Sequence, residues 1–518
     1  MRIDKLREKS GKKNSPVLLG FFLLAVSFFL LIRLAFFCFS ADIWYDEVFS
    51  VKMISRSFKE IVEFTARDVH PPLYYWYLKF FIQVGELISG GLTKEGVVIL
   101  AKLASWFPMA GLWILAITKI RRQFGLFTGA IFSFCVCTMP QLTGYGIEIR
   151  MYSLALFLVT LAFLFAYDIN VRRRKRDFAG LFCCGILVAY TQYFSCLGIV
   201  FLYLGTGWLI RKDKEALKKW LFCIGASVIA YLPWLGALIR QLARVSGSYW
   251  IPPLTWKSFG GCLKYIYLPS GGYPWLNYAL AILLILATFI LAGLFLRKGM
   301  STGAIFRQEG GVLLLGWGML GGVILIGVGV SILVSPVFVY RYMIPFLGAF
   351  WLVFALLLDK ADKGPLRAVV FLLILTVGYI NIRGVFWEEG NKNQNMSTTL
   401  QGLSRIGEED VLIFNFNHVQ AVVGYYQAND SYLLYQEPEQ LIKEVYGNFR
   451  MLEDAAQIDE LLEEHPEGTL WFLGSFNSRE EIVEQWQSMG FAVTGEGSYL
   501  LERYWFNLYR LEKEKADR

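Results

Sequence analysis

Residues 16–47 read PVLLGFFLLAVSFFLLIRLAFFCFSADIWYDE. The run from 16 to 40 carries one charge, Arg33, and then opens directly onto Asp42, Asp46 and Glu47. A bilayer-crossing helix needs about 20 apolar residues. Carboxylates placed just past such a helix are costly beside lipid unless they are paired or used. The stretch is far longer than the ~7–15-residue core of a secretory signal, and no small-x-small cleavage pattern follows, so it reads as an uncleaved first helix.

Working outward, apolar runs of the same kind recur at 96–118, 125–143, 152–169, 179–192, 194–210, 219–239, 276–296, 311–334, 342–358 and 366–383. With 16–40 they make about 11 spans by the length rule. Composition agrees: of 518 residues 56% are hydrophobic and only 18% charged, where a soluble chain carries about a quarter. The +8 net charge invites a nucleic-acid reading. Its distribution excludes one, because the basic residues sit in short clusters between apolar runs. The expected fold class is therefore a polytopic α-helical membrane protein, with residues 1–385 as the membrane domain.

Lys and Arg give the orientation. The N-terminus carries Arg2, Lys5, Arg7, Lys9, Lys12 and Lys13. Alternate short loops carry Lys119, Arg121 and Arg122; Arg172 to Arg176; Arg211, Lys212, Lys214, Lys218 and Lys219; Arg297, Lys298 and Arg307; and Lys360, Lys363 and Arg367. The opposite set of short connections is nearly free of them, with Arg150 and Arg341 as single exceptions. This pattern places the N-terminus in the cytoplasm of a plasma-membrane protein, and the 42–95 loop, the 240–275 loop and the chain after 383 outside.

After residue 383 the character changes. Glu388 to Asn395 reads as a polar linker. Asp410–Asn417 and Thr469–Leu473 read as buried strands, Arg479–Met489 as a helix, and Phe491–Leu511 as paired strands turning at Gly495–Ser498. Roughly 130 residues suffice for a small domain, so 386–518 is expected to be an extracytoplasmic α/β domain. It holds no phosphate-binding Gly-rich loop and no cysteine; His418 and His465 read as surface or packing residues. The eight cysteines fall mostly inside spans and read as small buried residues.

Four groups fall on the predicted outer side: Asp46-Glu47 with Asp68 and His70; Glu148, Arg150 and Tyr152; Tyr190, Gln192 and Tyr193; and Arg341-Tyr342. Far apart in sequence, they converge on one membrane face. Within the first loop, Val51, Ile54, Phe58, Ile61 and Val62 recur at helical spacing, describing an amphipathic helix in the interface. Pro71-Pro72 ends an element, and Leu73-Tyr74-Tyr75-Trp76-Tyr77 suits the headgroup belt.

These stretches resemble a known family. The WYDE run (44–47), the DVHPPLYYW run (68–76), Pro140 with Arg150 and Tyr152, Tyr231-Leu232-Pro233-Trp234 and the SPVFVYRYMIP run (335–345) together look like membrane glycosyltransferases of the GT-C fold. The resemblance is to the glycosyltransferase 39/83-like group, which includes protein O-mannosyltransferases and the aminoarabinose transferases of lipid A, and covers residues 16 to about 385 in order. It implies an enzyme that uses a polyprenyl-phosphate sugar on the outer face, with a first-loop acid, here Asp46, as catalytic base and Glu47 as its neighbour. In some members first-loop acids help bind a divalent metal, which would point to Asp68 and His70. The His of the Tyr-Thr-His-Tyr form of the hairpin is Gln192 here. The acceptor stays open among lipid, glycan and protein, and so does the sugar.

The chemistry is coherent. A carboxylate within hydrogen-bond reach of an acceptor hydroxyl takes its proton as the glycosidic bond forms, and arginines offset the charge of a leaving lipid phosphate. Each residue also has a plainer reading. Asp46 caps the helix that begins there; Asp68 and His70 are turn residues before the prolines; Arg150 reaches to headgroups with Glu148 as its salt-bridge partner; Tyr190 and Tyr193 belong to an interface belt; Arg172 to Arg176 signal topology. A second class, a transporter or flippase of polyprenyl-linked glycans, predicts midplane charges and internal repeats. The only notable charges inside spans are Arg33 and Lys102, and no repeat is visible, which favours the transferase.

Overall fold

The computed structural model describes residues 2–245, 251–302, 310–361, 364–436, 440–447, 450–466 and 468–513. Arg307 and Lys363 of the basic loops lie outside the described residues. Among those described, nine helices are long and apolar enough to cross a membrane: this is a multi-pass membrane protein. The two remaining expected spans form shorter helices, Leu126–Thr138 and Lys175–Ala189, of 13 and 15 residues. Their own sequences stop them. Met139 turns to extended backbone, as a residue before proline prefers. After Ala189, Gln192 caps the next helix, its side chain accepting the Ser195 N–H at 2.6 Å.

The chain forms two compact units. The first comprises Met1–Phe36, Thr65–Tyr74 and Leu103–Trp387. At its centre runs Ile344–Lys360, with every residue from 344 to 358 buried. A helix apolar on all sides belongs inside a bundle, and Leu126–Thr138, Tyr152–Arg172 and Gly310–Leu333 pack around this one. Glycines set the spacing. A Cβ on Gly348 would meet the Thr160 hydroxyl at 2.0 Å, and one on Gly198 the Phe346 ring at 2.0 Å. Without hydrophobic drive in lipid, such close approach is what makes helix association favourable.

The second unit comprises Phe37–Phe64, Tyr75–Lys102 and Glu388–Arg518. Its sheet contains β1 (Val411–Phe414), β2 (Ser431–Leu434), β3 (Arg450–Leu452), β4 (Leu470–Ser475), β5 (Phe491–Leu501) and β6 (Tyr504–Lys513), in the order β3-β2-β1-β4-β6-β5. The first four are parallel, and β6 and β5 close the edge antiparallel. Strands β1, β2 and β4 are buried on both faces, which parallel pairing under helices requires. Trp486 is fully buried beside Phe472, its indole donating to the Ala455 carbonyl at 2.8 Å.

Several elements differ from their sequence reading. Residues 388–395 are no linker: one helix runs from Pro365 to Leu403. Lys392 pairs with Glu388 at 3.7 Å and Glu389 at 2.6 Å, the three- and four-residue spacing that stabilises a polar helix. Gly495–Ser498 is not the hairpin turn. The register shifts between Gly495 and Gly497, and β5 continues to Leu501. Glycines inside a strand commonly mark such a bulge; the reversal falls at Glu502, whose φ is 56°. The amphipathic stretch forms two helices, Tyr45–Ile54 and Phe58–Arg67. Ser57 and Glu60 start the second with reciprocal bonds of 3.2 and 2.8 Å, a capping box. Val51 and Ile54 are buried, and their helix packs on helices Asn417–Tyr426 and Gln440–Tyr446 of the same unit. Tyr74 and Tyr75, expected in a headgroup belt, are also buried.

Candidate active site

In the first unit the site grows from Asp68-Val69-His70-Pro71-Pro72. The two prolines bring no backbone donors and restrict the residues before them, so the chain leaves one helix at Arg67 and enters the next at Leu73. The Leu73 N–H then donates to the Tyr190 carbonyl at 3.0 Å, docking this turn on the 190–193 hairpin.

Within the turn His70 Nδ1 lies 3.0 Å from Asp68 Oδ2, and the Arg150 guanidinium lies 3.4 Å from His70 Nε2. An arginine only donates, so Nε2 accepts, and Nδ1 carries the proton given to Asp68. The result is a chain, Arg150 to His70 to Asp68, that fixes both the imidazole tautomer and the guanidinium. Burial works against the Asp68 charge. His70, the Val69 N–H and Arg150 outweigh it and hold the carboxyl below its ordinary range.

Arg150 comes from the turn segment that follows Leu126–Thr138. Its N–H bonds the Glu148 carbonyl at 2.6 Å, and its side chain is 4% exposed. Arg341 comes from a single helical turn, Tyr340–Met343. Both arginines act electrostatically on Tyr152, which is fully buried against the edge of Tyr145. The Tyr152 hydroxyl has no hydrogen-bond partner among the described residues. Residues nearly two hundred positions apart in sequence thus meet around one phenol.

Beside this cluster is a cavity of about 300 Å³. His70, Gln192, Tyr193, Gln241 and Tyr342 line it together with Leu238, Leu242, Ile326 and Val330. Gln192 Oε1 accepts from Ser195 N and Oγ, both at 2.6 Å, which leaves its NH₂ to donate. The Tyr193 hydroxyl donates to Gln241 Oε1 and accepts from Trp234 Nε1 at 2.9 Å. With that oxygen engaged, Tyr193 offers the cavity a ring face. Tyr342 stacks on Phe194 at 4.8 Å. Tyr190 packs instead on Tyr231, its hydroxyl donating to the Ala230 carbonyl at 3.0 Å.

Asp46 and Glu47 belong to the second unit. Glu47 is 3% exposed and accepts the Trp44 N–H at 3.1 Å, while the Tyr45 N–H goes to Glu502 at 2.8 Å. These two carboxylates cap the helix on which Asp46 occupies the first turn. Tyr45 stacks on His418 at 4.3 Å, and Tyr446 donates to the Tyr45 carbonyl at 2.9 Å. In the same unit Lys102 is buried and pairs with Asp42 at 3.4 Å. Sequence reasoning missed Gln241 and the cavity wall from Gly310–Leu333. A lone amide in an apolar helix was a usable signal for Gln241; Ile326 and Val330 look like any lipid-facing residue.

The described membrane helices and the α/β unit with its mixed sheet have the GT-C fold. The chain is similar to ArnT from Cupriavidus metallidurans bound to undecaprenyl phosphate: TM-score 0.54 at 12% identity, over 96% of this chain and 98% of that one. The apo state of the same protein gives 0.53 at 12%, over 97% and 98%. Arabinofuranosyltransferase AftD from Mycobacteria gives 0.47 at 14% over 95% of this chain and 40% of that one. No protein-family profile and no curated protein matches the sequence. At such identities the likeness defines the fold; the activity has to be argued from the site.

Proposed function

We propose that this protein is a membrane glycosyltransferase that moves a hexose or pentose from a polyprenyl-phosphate donor to a lipid, glycan or protein acceptor on the outer face of the plasma membrane. One observation carries the reading: a largely apolar cavity in the membrane unit has, in its wall, the imidazole that orients a buried arginine. Isoprenoid chain and phosphate are a ligand of that dual character. That the similar ArnT is bound to undecaprenyl phosphate supports the donor class.

In the reaction, Asp46 takes the proton of the acceptor hydroxyl as its oxygen attacks the anomeric carbon. The bond from that carbon to the phosphate oxygen breaks, and the electron pair leaves with the polyprenyl phosphate. One displacement inverts the anomeric configuration. Arg150 and Arg341 offset the charge growing on the leaving phosphate, where preorganised donors act most strongly. Tyr152 supplies a buried hydroxyl within their electrostatic reach, Gln192 an amide donor, and Tyr193 and Tyr342 apolar ring faces. Glu148 shapes the turn that presents Arg150. Glu47 holds the helix that carries Asp46.

A divalent metal at Asp68 and His70 fits poorly. Both ring nitrogens are engaged, one of them by a cationic guanidinium, and the described residues offer no group of three or more His, Cys, Asp or Glu. No step of the proposed reaction is routed through a metal.

The test is Asp46→Asn in membranes supplied with a polyprenyl-phosphate sugar and acceptor. Turnover is expected to fall at least ~100-fold, as loss of a general base typically costs, with donor binding retained. Full turnover at normal expression would sink the base assignment. A flippase would move the intact lipid-linked sugar and need no acceptor.

A further inference from the structure

At the opposite chemical extreme from the apolar cavity, the first unit contains a second cavity of about 560 Å³ with a cationic wall. It is formed where helix Lys94–Leu115 continues to Phe124, helix Tyr152–Arg172 ends and helix Lys175–Ala189 begins. Two of these elements are membrane spans, so the cavity lies at a membrane edge. Its wall includes Lys119, Arg122, Arg172, Arg174 and Arg176.

A charge signal for membrane topology needs only that such residues exist in a loop. Here they are built in. Asp168 is completely buried and takes Lys119 Nζ, Gln123 Nε2 at 2.6 Å and Arg172 at 3.4 Å. Asp177, also buried, holds Arg174 through two bonds of 2.9 and 3.1 Å. Buried carboxylates seldom occur unpaired; these two act as orienting posts for the cations above them. The backbone is bent to the same end. Ala116–Ile120 is a π turn, an irregularity frequent at functional sites. Gly129 lets the next helix close on it: a Cβ there would meet the Ala116 carbonyl at 2.6 Å. Arg173 adopts φ 55°, a left-handed conformation that a side chain resists, and its N–H returns to the Asp168 carbonyl at 3.3 Å.

Five cations against two carboxylates leave three positive charges in the wall. Arg122 and Arg176 have no ion-pair or hydrogen-bond partner among the described residues. Guanidinium forks match the oxygens of phosphate, and a polyvalent anion is what such an excess accommodates. We propose that this cavity is a phosphate-binding site, separate from the donor cavity, and that its position at the membrane edge suits the phosphodiester headgroup of an anionic phospholipid.

The test uses the purified full chain and the double variant Arg122→Gln with Arg176→Gln, which leaves the Asp168 and Asp177 pairs intact. Binding is measured by native mass spectrometry and thermal shift in three arms: phosphatidylglycerol, phosphatidylcholine and inorganic pyrophosphate. Wild type is expected to prefer phosphatidylglycerol to phosphatidylcholine by roughly tenfold, the scale of one charge-assisted contact, and the double variant to lose the preference. Pyrophosphate that stabilises the wild type, competes with the lipid and fails on the variant also supports a phosphate site and assigns it a soluble ligand. Equal binding of both lipids with no pyrophosphate effect would overturn it. So would a preference unchanged in a double variant that keeps the wild-type melting temperature in phosphatidylcholine.

Discussion

At the residue scale, the connection from Asp68 through His70 to Arg150 does the most with the fewest atoms. Arg150 is 4% exposed, and a guanidinium so buried is useful to a phosphate only if held in one orientation, which contact with the His70 ring at 3.4 Å helps to fix. Asp68 in turn holds the imidazole, at 3.0 Å. Because the folded carboxyl titrates below its ordinary value of 3.8, ionised Asp68 favours the folded state. That contribution is complete above the unfolded value and is lost as pH falls through the lower folded one. Asp68→Asn is therefore expected to lower stability by about 1–2 kcal/mol near neutrality. In chemical denaturation the gap between wild type and variant should persist to about pH 4 and close only below it. A gap that closes well above pH 4 would mean that a group other than Asp68 carries the effect. Sequence alone paired Asp68 with His70 by proximity and put Arg150 on the same face. It did not reveal that the three form one line, because hydrogen-bond direction depends on how the 190–193 hairpin docks the turn.

At the element scale, the helix Tyr45–Ile54 separates two acids that adjacency in sequence had joined. The first N–H groups of a helix need acceptors, and Glu47 and Glu502 supply them at 3.1 and 2.8 Å. The cap that the sequence offered to Asp46 thus falls to its neighbours. Glu47→Gln is expected to cost about 1 kcal/mol of stability, the usual worth of a cap, and to lower turnover only as far as the helix loosens. Asp46→Asn should do the reverse, with unchanged melting and lost turnover. Thermal unfolding and transfer assays on the two variants side by side decide it; identical profiles would show that the pair acts as a unit. This division was not legible beforehand. Glu502 is some 450 residues away in sequence, and its role depends on the β5–β6 reversal, misplaced by the pull of Gly495-Glu496-Gly497. By contrast Ser57-x-x-Glu60 was a readable helix start, hidden only because the apolar spacing ran across it.

At the scale of the whole molecule, long spans were legible and their use was not. Apolar length and basic loops are properties of composition along the chain, which is why nine of the expected spans reappear as long helices. The burial of residues 344–358 on every side is a property of packing; their sequence matches that of a lipid-facing span. The α/β unit was half readable: β1 and β4 lie in buried apolar runs, whereas β3, of three residues, is too short for periodicity to register. The sidedness that the outer-face chemistry requires has a direct consequence within the membrane unit. Trp256 is 66% exposed in the 240–275 connection, and Lys212 is exposed in one of the basic loops. If basic loops stay in the cytoplasm, Trp256→Cys is expected to react with a membrane-impermeant maleimide in intact cells, and Lys212→Cys only after permeabilisation. The reverse pattern would place the 240–275 connection in the cytoplasm, away from any outer-leaflet acceptor, and would turn the basic cavity at Lys119 and Arg174 toward the outside.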